Sequence, residues 1–282
     1  MPMDTPLLLR SLTLQPPVQT QPGQMPGPTP GLAYPFNLAV INRLGTLAFE
    51  APVTFLVGEN GSGKSTLLEA LACACGLPAI GSEGVQRDAS LEPARRLADK
   101  MRLAWSKRNH RGFFLRAEDF FGYARRLSQM KSEFEQDLRT VDSEYQGRSA
   151  YAINLAKMPY RHELGDMQQR YGSGLEHASH GESFLKLFQA RFVPEGLYLL
   201  DEPEAPLSPV RQLALISMLK QMVEQKAQFI IATHSPILMA YPGAVILSFD
   251  GEQIHPVAYN DLEHVQLTRA FLQNPESYLR HL

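Results

Sequence analysis

Gly58-Glu59-Asn60-Gly61-Ser62-Gly63-Lys64-Ser65-Thr66 is the stretch on which the reading of this 282-residue chain turns. It fits the spacing G-x-x-x-x-G-K-[ST], and its flanks suit a strand-loop-helix unit. Ahead of it, Pro52-Val53-Thr54-Phe55-Leu56-Val57 is short, apolar and rich in β-branched and aromatic residues, the composition of a buried parallel strand. Behind it, Leu67-Leu68-Glu69-Ala70-Leu71-Ala72 reads as a helix that stops near Gly76-Leu77-Pro78. The glycines let backbone N–H groups turn inward, the helix start adds partial positive charge, and the two together hold an anion. Gly58, Glu59, Asn60, Gly61, Ser62, Gly63, Lys64, Ser65 and Thr66 are the expected phosphate cradle. Within it Lys64 is expected to reach the β- and γ-phosphates, Ser65 to ligate Mg²⁺, and Thr66 to lie near the α-phosphate.

Three further stretches carry chemistry. Leu199-Leu200-Asp201-Glu202-Pro203 puts two carboxylates at the end of an apolar strand. In open α/β sheets the ligand sits outside such strand ends. Asp201 is the expected holder of Mg²⁺ through its water shell, and Glu202 the base that takes a proton from the attacking water. Phe229-Ile230-Ile231-Ala232-Thr233-His234-Ser235 places His234 just after the next strand, where an imidazole can hydrogen-bond the γ-phosphate or that water. Ala178-Ser179-His180-Gly181-Glu182-Ser183 opens a helix with apolar positions Phe184, Leu185, Leu187 and Phe188. Ser179 and Glu182 fit a capping box, and an exposed helix start is also a second anion site.

The length suits one large α/β domain carrying a subdomain, and 44% hydrophobic residues suffice for a substantial core. Cys73 and Cys75 lie two apart on a helix, facing different ways, so packed thiols are expected and neither a metal site nor a disulfide. No basic region followed by a long apolar run opens the chain, and no apolar stretch approaches a membrane span. A reducing cytoplasm is the expected setting. The net charge of −2 hides an asymmetry: Arg95 to Lys131 holds eleven Lys/Arg against three Asp/Glu, a candidate polyanion-binding face or a solvated helical surface.

Taken in order, a strand at Leu7–Leu14 precedes a Pro- and Gly-rich loop over residues 15–35. A strand at Thr46–Glu50 leads to the phosphate loop. Residues 81–189 read as a charged helical lobe, with helices at Leu91–Arg102 and Asp119–Tyr145, inserted between core segments 1–80 and 190–282. Strands follow at Gly196–Leu200, Phe229–Ala232 and Val245–Leu247, with a helix from Pro209 to about Gln225. Asp250-Gly251 suits a two-residue hairpin turn, and a last helix spans Asp261–Gln273.

The phosphate loop, the Ser179-His180-Gly181-Glu182 helix start, the Asp201-Glu202 strand and His234, in this order, resemble the ABC-type ATPases over most of the chain. Glu204-Ala205-Pro206-Leu207-Ser208 falls where that family has its D-loop. The resemblance implies a P-loop NTPase fold with a mixed sheet and a helical lobe. It also implies hydrolysis of ATP with Mg²⁺, and a head-to-tail dimer that closes ATP between one copy's loop and the other's Ser179 and Gly181. The Ser-x-Gly-Glu start and the Thr233-His234-Ser235-Pro236 switch are similar to the SMC and DNA-repair branch and its short stand-alone relatives. On that footing the expected action is on nucleic acid, in repair or defence, through the basic segment 95–131, with a further protein partner open. The alternative is the energy subunit of a membrane transporter, and a third possibility is a scaffold that binds ATP with little turnover. The family's Q-loop glutamine has no match near Phe114–Glu118, where Arg116 and Glu118 stand instead.

Overall fold

The computed structural model describes residues 7–15, 33–81, 89–171 and 180–280. The chain opens with β1 (Leu9–Leu14), α1 (Ala39–Asn42), β2 (Thr46–Ala48), β3 (Val53–Val57), α2 (Lys64–Cys75) and β4 (Ala79–Ile80). It continues through α3 (Glu92–Ala98), β5 (Met101–Trp105), β6 (Gly112–Arg116), α4 (Ala117–Glu144), α5 (Ala150–Tyr171) and α6 (His180–Arg191). Then come β7 (Leu197–Asp201), α7 (Pro209–Glu224), β8 (Gln228–Ala232) and α8 (Pro236–Met239). The last elements are β9 (Val245–Ser248), β10 (His255–Pro256), α9 (Glu263–Gln273) and α10 (Pro275–Leu279).

Seven strands form one sheet in the order β10-β9-β3-β8-β7-β6-β4. From β9 to β4 neighbours run parallel, and β10 closes one edge antiparallel to β9. A smaller antiparallel sheet, β2-β1-β5, packs beside it. This is the mixed-sheet α/β architecture expected of a P-loop NTPase. Strands β3, β7 and β8 are buried at every position because helices or the second sheet cover both faces. Strand alternation sends Phe55, Leu200 and Ile231 into one core with Phe184 and Phe188 of α6 and Leu215 and Leu219 of α7. It sends Leu56, Leu199 and Ile230 into the other, against Leu67, Leu68 and Leu71 of α2 and Leu12 of β1. Cys73 and Cys75 are free and buried, and burial pushes their thiols up to about 11 and about 12, which favours the protonated form of a packed thiol.

One polar side chain joins the two sheets. Gln228 is buried, its Oε1 accepting from the N–H groups of Leu8 (3.0 Å) and Leu9 (2.8 Å) and its Nε2 donating to the Leu9 carbonyl (3.0 Å). These bonds satisfy backbone groups at the start of β1 that its own ladder leaves unpaired.

Several expectations are corrected. The stretch 81–189 is not wholly helical: β5 extends the small sheet and β6 enters the main one, so the helical lobe begins at Ala117. The expected helix at Leu91–Arg102 is only Glu92–Ala98, because Met101 begins a strand. Helix α5, with Pro159 inside it, pairs with α4 and was not expected. Asp250-Gly251 does not form a two-residue hairpin, since β9 ends at Ser248 and β10 starts at His255. Asn274 does end α9, but its side chain also accepts from Ser277 N and starts α10. Of the Pro-rich loop, residues 16–32 lie outside the described residues. Among those described, no helix is long and apolar enough to cross a membrane.

Replacing Gln228 by Met keeps the volume but strands two N–H groups and a carbonyl. We expect a loss of about 3 kcal/mol in urea unfolding, each unsatisfied group costing about 1–3 kcal/mol before relaxation. An unchanged midpoint would show that the two sheets do not depend on this side chain.

Candidate active site

Parallel register decides which side chains meet. Leu56 of β3 pairs with Ala232 of β8, Ala232 with Asp201 of β7, and Asp201 with Arg116 of β6. Four strands therefore finish along one edge. Just past it stand the loop from Gly58, then Glu202 and His234.

Gly63, at φ 103°, is the N-cap of α2, and a Cβ there would lie 3.1 Å from Val40 Cγ2 of α1. The position needs glycine both for its left-handed backbone and for this close approach. Lys64 folds its ammonium back onto the loop, donating to the carbonyls of Gly58 (2.7 Å) and Glu59 (2.8 Å). Burial pulls its pKa below the ordinary lysine value, against the opposing pull of Glu202, Asp201 and Asp250. Ser65 Oγ donates to Asp201 Oδ1 at 3.1 Å. Burial pushes the Asp201 carboxyl up to about 7, more than the Ser65 bond lowers it.

Glu202 has φ 49°, the left-handed region that a side chain of this size adopts rarely and at a cost on the order of 1–3 kcal/mol. Its carboxylate is half exposed, 3.9 Å from His234 Nε2. Burial first, then Lys64, holds His234 below the usual imidazole value. The shift disfavours the charged ring and so weakens this contact as an ion pair. His234 Nε2 is buried without a partner, as is Ser62 Oγ. The His234 backbone N–H donates to Glu204 Oε1 at 2.7 Å, which fixes where the ring starts.

Ser65, Glu69, Arg116, Asp201 and Glu202 line one cavity of about 530 Å³. The site thus brings together Lys64, Ser65, Asp201, Glu202 and His234. Gly181 is not among its lining residues. It is buried at the start of α6, where a Cβ would lie 2.9 Å from the Pro206 carbonyl and 2.7 Å from Arg211 Cδ. Arg211 Nη2 donates to Glu182 Oε1 at 2.9 Å, linking α6 to α7. Ser179, and with it the expected capping box, lies outside the described residues.

The donor set fits a magnesium nucleotide. Ser65 and Asp201 offer two oxygen ligands side by side, enough for an ion that keeps waters and takes phosphate oxygens. No group of three or more His, Cys, Asp or Glu that would form an all-protein metal site occurs among the described residues. The unpartnered Ser62 hydroxyl and His234 nitrogen are the polar atoms a phosphate would satisfy.

Sequence reasoning missed three supports, because each partner lies far away along the chain. Asp250 Oδ1 accepts from Glu59 N at 2.9 Å and holds the entry of the loop. The Tyr34 hydroxyl lies 2.7 Å from Thr66 Oγ1. Arg116 Nη2 sits 2.5 Å from Glu69 Oε1 of α2, with side chains only 14% and 17% exposed, and its Nε is buried without a partner.

Fold and site define a P-loop ATPase. A family model described as an AAA domain matches residues 37–148. A second, described as "AAA domain, putative AbiEii toxin, Type IV TA system", matches residues 185–240. Both models describe AAA-type P-loop ATPase domains. It is 27% identical over 250 residues to an uncharacterized ABC transporter ATP-binding protein of Haemophilus influenzae, covering 83% of this chain and 84% of that one. It is 28% identical over 220 residues to the macrolide export ATP-binding/permease protein MacB of Escherichia coli K12, covering 77% of this chain but only 31% of that longer protein. Among solved structures, a nucleotide-free ATP-binding cassette from an ABC transporter aligns over 96% of this chain and 98% of its own, at 16% identity and a TM-score of 0.46.

Arg116→Ala removes the cation paired with the half-buried Glu69 carboxylate, and we expect a loss of about 2 kcal/mol, the range for a hydrogen bond to a charged group. The double variant Glu69→Leu/Arg116→Met should recover most of it. A double-mutant cycle with no coupling would show that solvent already screens the pair.

Proposed function

We propose that this protein hydrolyses ATP with Mg²⁺, closing and opening a head-to-tail homodimer, and that the cycle acts on nucleic acid. The observation that carries the ATPase reading is the meeting of Lys64, Ser65, Asp201, Glu202 and His234 at the carboxyl edge of one sheet. Lys64 leaves the loop carbonyls for the β- and γ-phosphates, whose oxygens also take the amides of Gly58 to Thr66. Ser65 and Asp201 would hold Mg²⁺, which supplies neutralising charge to the phosphates. Glu202, half exposed and beside His234, takes the proton of the attacking water. Neutral His234 offers its free Nε2 to the γ-phosphate, and Ser179 and Gly181 of the partner copy cover the far side.

The Glu202→Gln protein should bind ATP with unchanged affinity and lose turnover by on the order of 10²–10⁴-fold. Near-normal hydrolysis by that variant would remove Glu202 as the base.

The nucleic-acid reading rests on the basic segment 95–131, and only part of that segment is available. Arg116 is committed to Glu69, Lys107 to Glu195 at 2.7 Å, and Lys131 lies 3.9 Å from Glu135. Arg96 donates to the Tyr34 carbonyl at 3.1 Å, Arg95 lies on α3, and Arg108 and Arg111 lie on the connection between β5 and β6. A second reading, the ATP-binding subunit of a transporter, is favoured by the named relatives and by the exposed apolar stripe Tyr151, Leu155 and Met158 on α5. Steady-state hydrolysis at low salt, with and without double-stranded DNA, separates the two. Stimulation that fades with salt, and with charge removal at Arg108 and Arg111, supports the first. A rate indifferent to DNA at every salt concentration leaves the transporter reading.

A further inference from the structure

A second cavity, of about 610 Å³, opens behind the phosphate-binding helix. Cys73 and Ala74 line it from the last turn of α2, roughly 14 Å along the helix from Lys64 at 1.5 Å per residue. It is therefore separate from the candidate active site. Strand alternation builds its floor: Met101, Leu103 and Trp105 of β5 face inward, while Arg102 and Ala104 face out and are exposed. The three inward side chains remain only partly buried although they pack against the main core. Opposite them stand two small residues, Ala74 of α2 and Ala98 of α3. Arg95, Asp99 and Arg108 form the lip. Arg108 makes no hydrogen bond or ion pair among the described residues.

A slot with apolar side chains on its floor beneath a charged lip, more polar than apolar in the surface it exposes, selects a ligand that carries both kinds of group. The floor offers a flat sulfur, aliphatic and indole surface to a planar apolar body. Two guanidiniums at the mouth suit a phosphate, which they bind as planar donor forks. Asp99 argues against a bare inorganic anion, because it repels one, and for a ligand that also carries N–H or O–H donors. The volume lies within the roughly 300–1,000 Å³ usual for small-ligand sites. We infer that this cleft binds a nucleotide unit, its base on Met101, Leu103 and Trp105 and its phosphate at Arg95 and Arg108. The same chemistry is offered by a free mononucleotide and by an unpaired residue of a nucleic-acid strand. Arg111, exposed three residues beyond Arg108 on the same connection, favours the strand, and that choice rests on the nucleic-acid reading above.

Trp105 is the single tryptophan of the chain, so emission excited selectively at tryptophan, away from the ten tyrosines, reports this cleft. The full-length protein is held with a non-hydrolysable ATP analogue saturating the phosphate loop. It is then titrated at low salt with short oligothymidylate and, separately, with thymidine 5′-monophosphate. Quenching of Trp105 is expected with the oligonucleotide. Affinity should fall about tenfold in Arg108→Glu, and similarly in Ala98→Phe, which fills the slot without altering charge, while Arg108→Lys keeps most of it. Thermal melting checks that each variant is folded. A comparable response to the mononucleotide assigns the cleft to free nucleotides; a response only to the oligonucleotide assigns it to a strand. No change in Trp105 emission with either probe overturns the inference, as does binding that Arg108→Glu and Ala98→Phe leave intact. Native-gel retention of duplex DNA keeps the two questions apart. Retention with a silent Trp105 removes the cleft and leaves the nucleic-acid reading. Loss of retention with a mononucleotide response does the reverse.

Discussion

The hydrogen-bonded register that sets Leu56 beside Ala232, Ala232 beside Asp201 and Asp201 beside Arg116 decides where every candidate group of the active site stands. Side chains alternate along a strand, so a slip of one residue in any pairing would turn Asp201 into a core and Leu200 toward the ligand. The register is held by burial on both faces. Phe55, Leu200 and Ile231 cannot move along without leaving the cluster formed with Phe184 and Phe188. Tyr198 adds an aromatic clamp, stacked 5.0 Å from Phe229 and bonded through its hydroxyl to both backbone groups of Val193. The precision of the site is thus a property of the hydrophobic layers beneath it.

At that edge the protein concentrates charge in a place poor in water. Burial lowers Lys64, raises Asp201 to about 7 and raises Glu204. Each shift means that the charged form is not fully compensated by the protein alone. The loop carbonyls that hold Lys64 carry no full charge, whereas a phosphate would offer the same ammonium one. The left-handed backbone of Glu202 belongs to the same pattern, strain held by the strand before it and by its N–H bond to the Ala232 carbonyl at 2.9 Å. Such uncompensated charge at a strand edge is what a bound anion and its metal would offset, as the proposed function requires.

What could be read in the sequence was what is local. The phosphate loop, the Asp201-Glu202 strand end and His234 are runs of adjacent residues, and apolar runs beside them mark buried strands. The Schellman-like stop at Gly76, with φ 67°, was legible for the same reason. Strand β5 was not, because Arg102 and flanking charges hide the alternation of Met101, Leu103 and Trp105 in a segment that looks helical. Gln228, Asp250, Tyr34 and the Arg116–Glu69 pair escaped because their partners lie 32 to 220 residues away. Asp250 is the instructive case. Its neighbour Gly251 suggested a tight hairpin, yet its carboxylate serves the phosphate loop, and the chain between β9 and β10 widens to let it reach there.

Arg116 shows how a charge changes the physics of a position at the edge of a sheet. It is the last residue of β6 and the N-cap of α4, so one residue joins the sheet edge to the helical lobe. A neutral amide there could enter or leave the site at little electrostatic cost. A guanidinium paired with Glu69 cannot leave without exposing two charges to a poorly solvated cavity. Its reach is also fixed from below, since its guanidinium lies 5.8 Å from the centre of the Phe114 ring. The lobe of this protein is therefore anchored to the phosphate-binding helix by an ion pair. A rearrangement of α4 relative to the core must carry Arg116 and Glu69 together or supply another anion in place of Glu69.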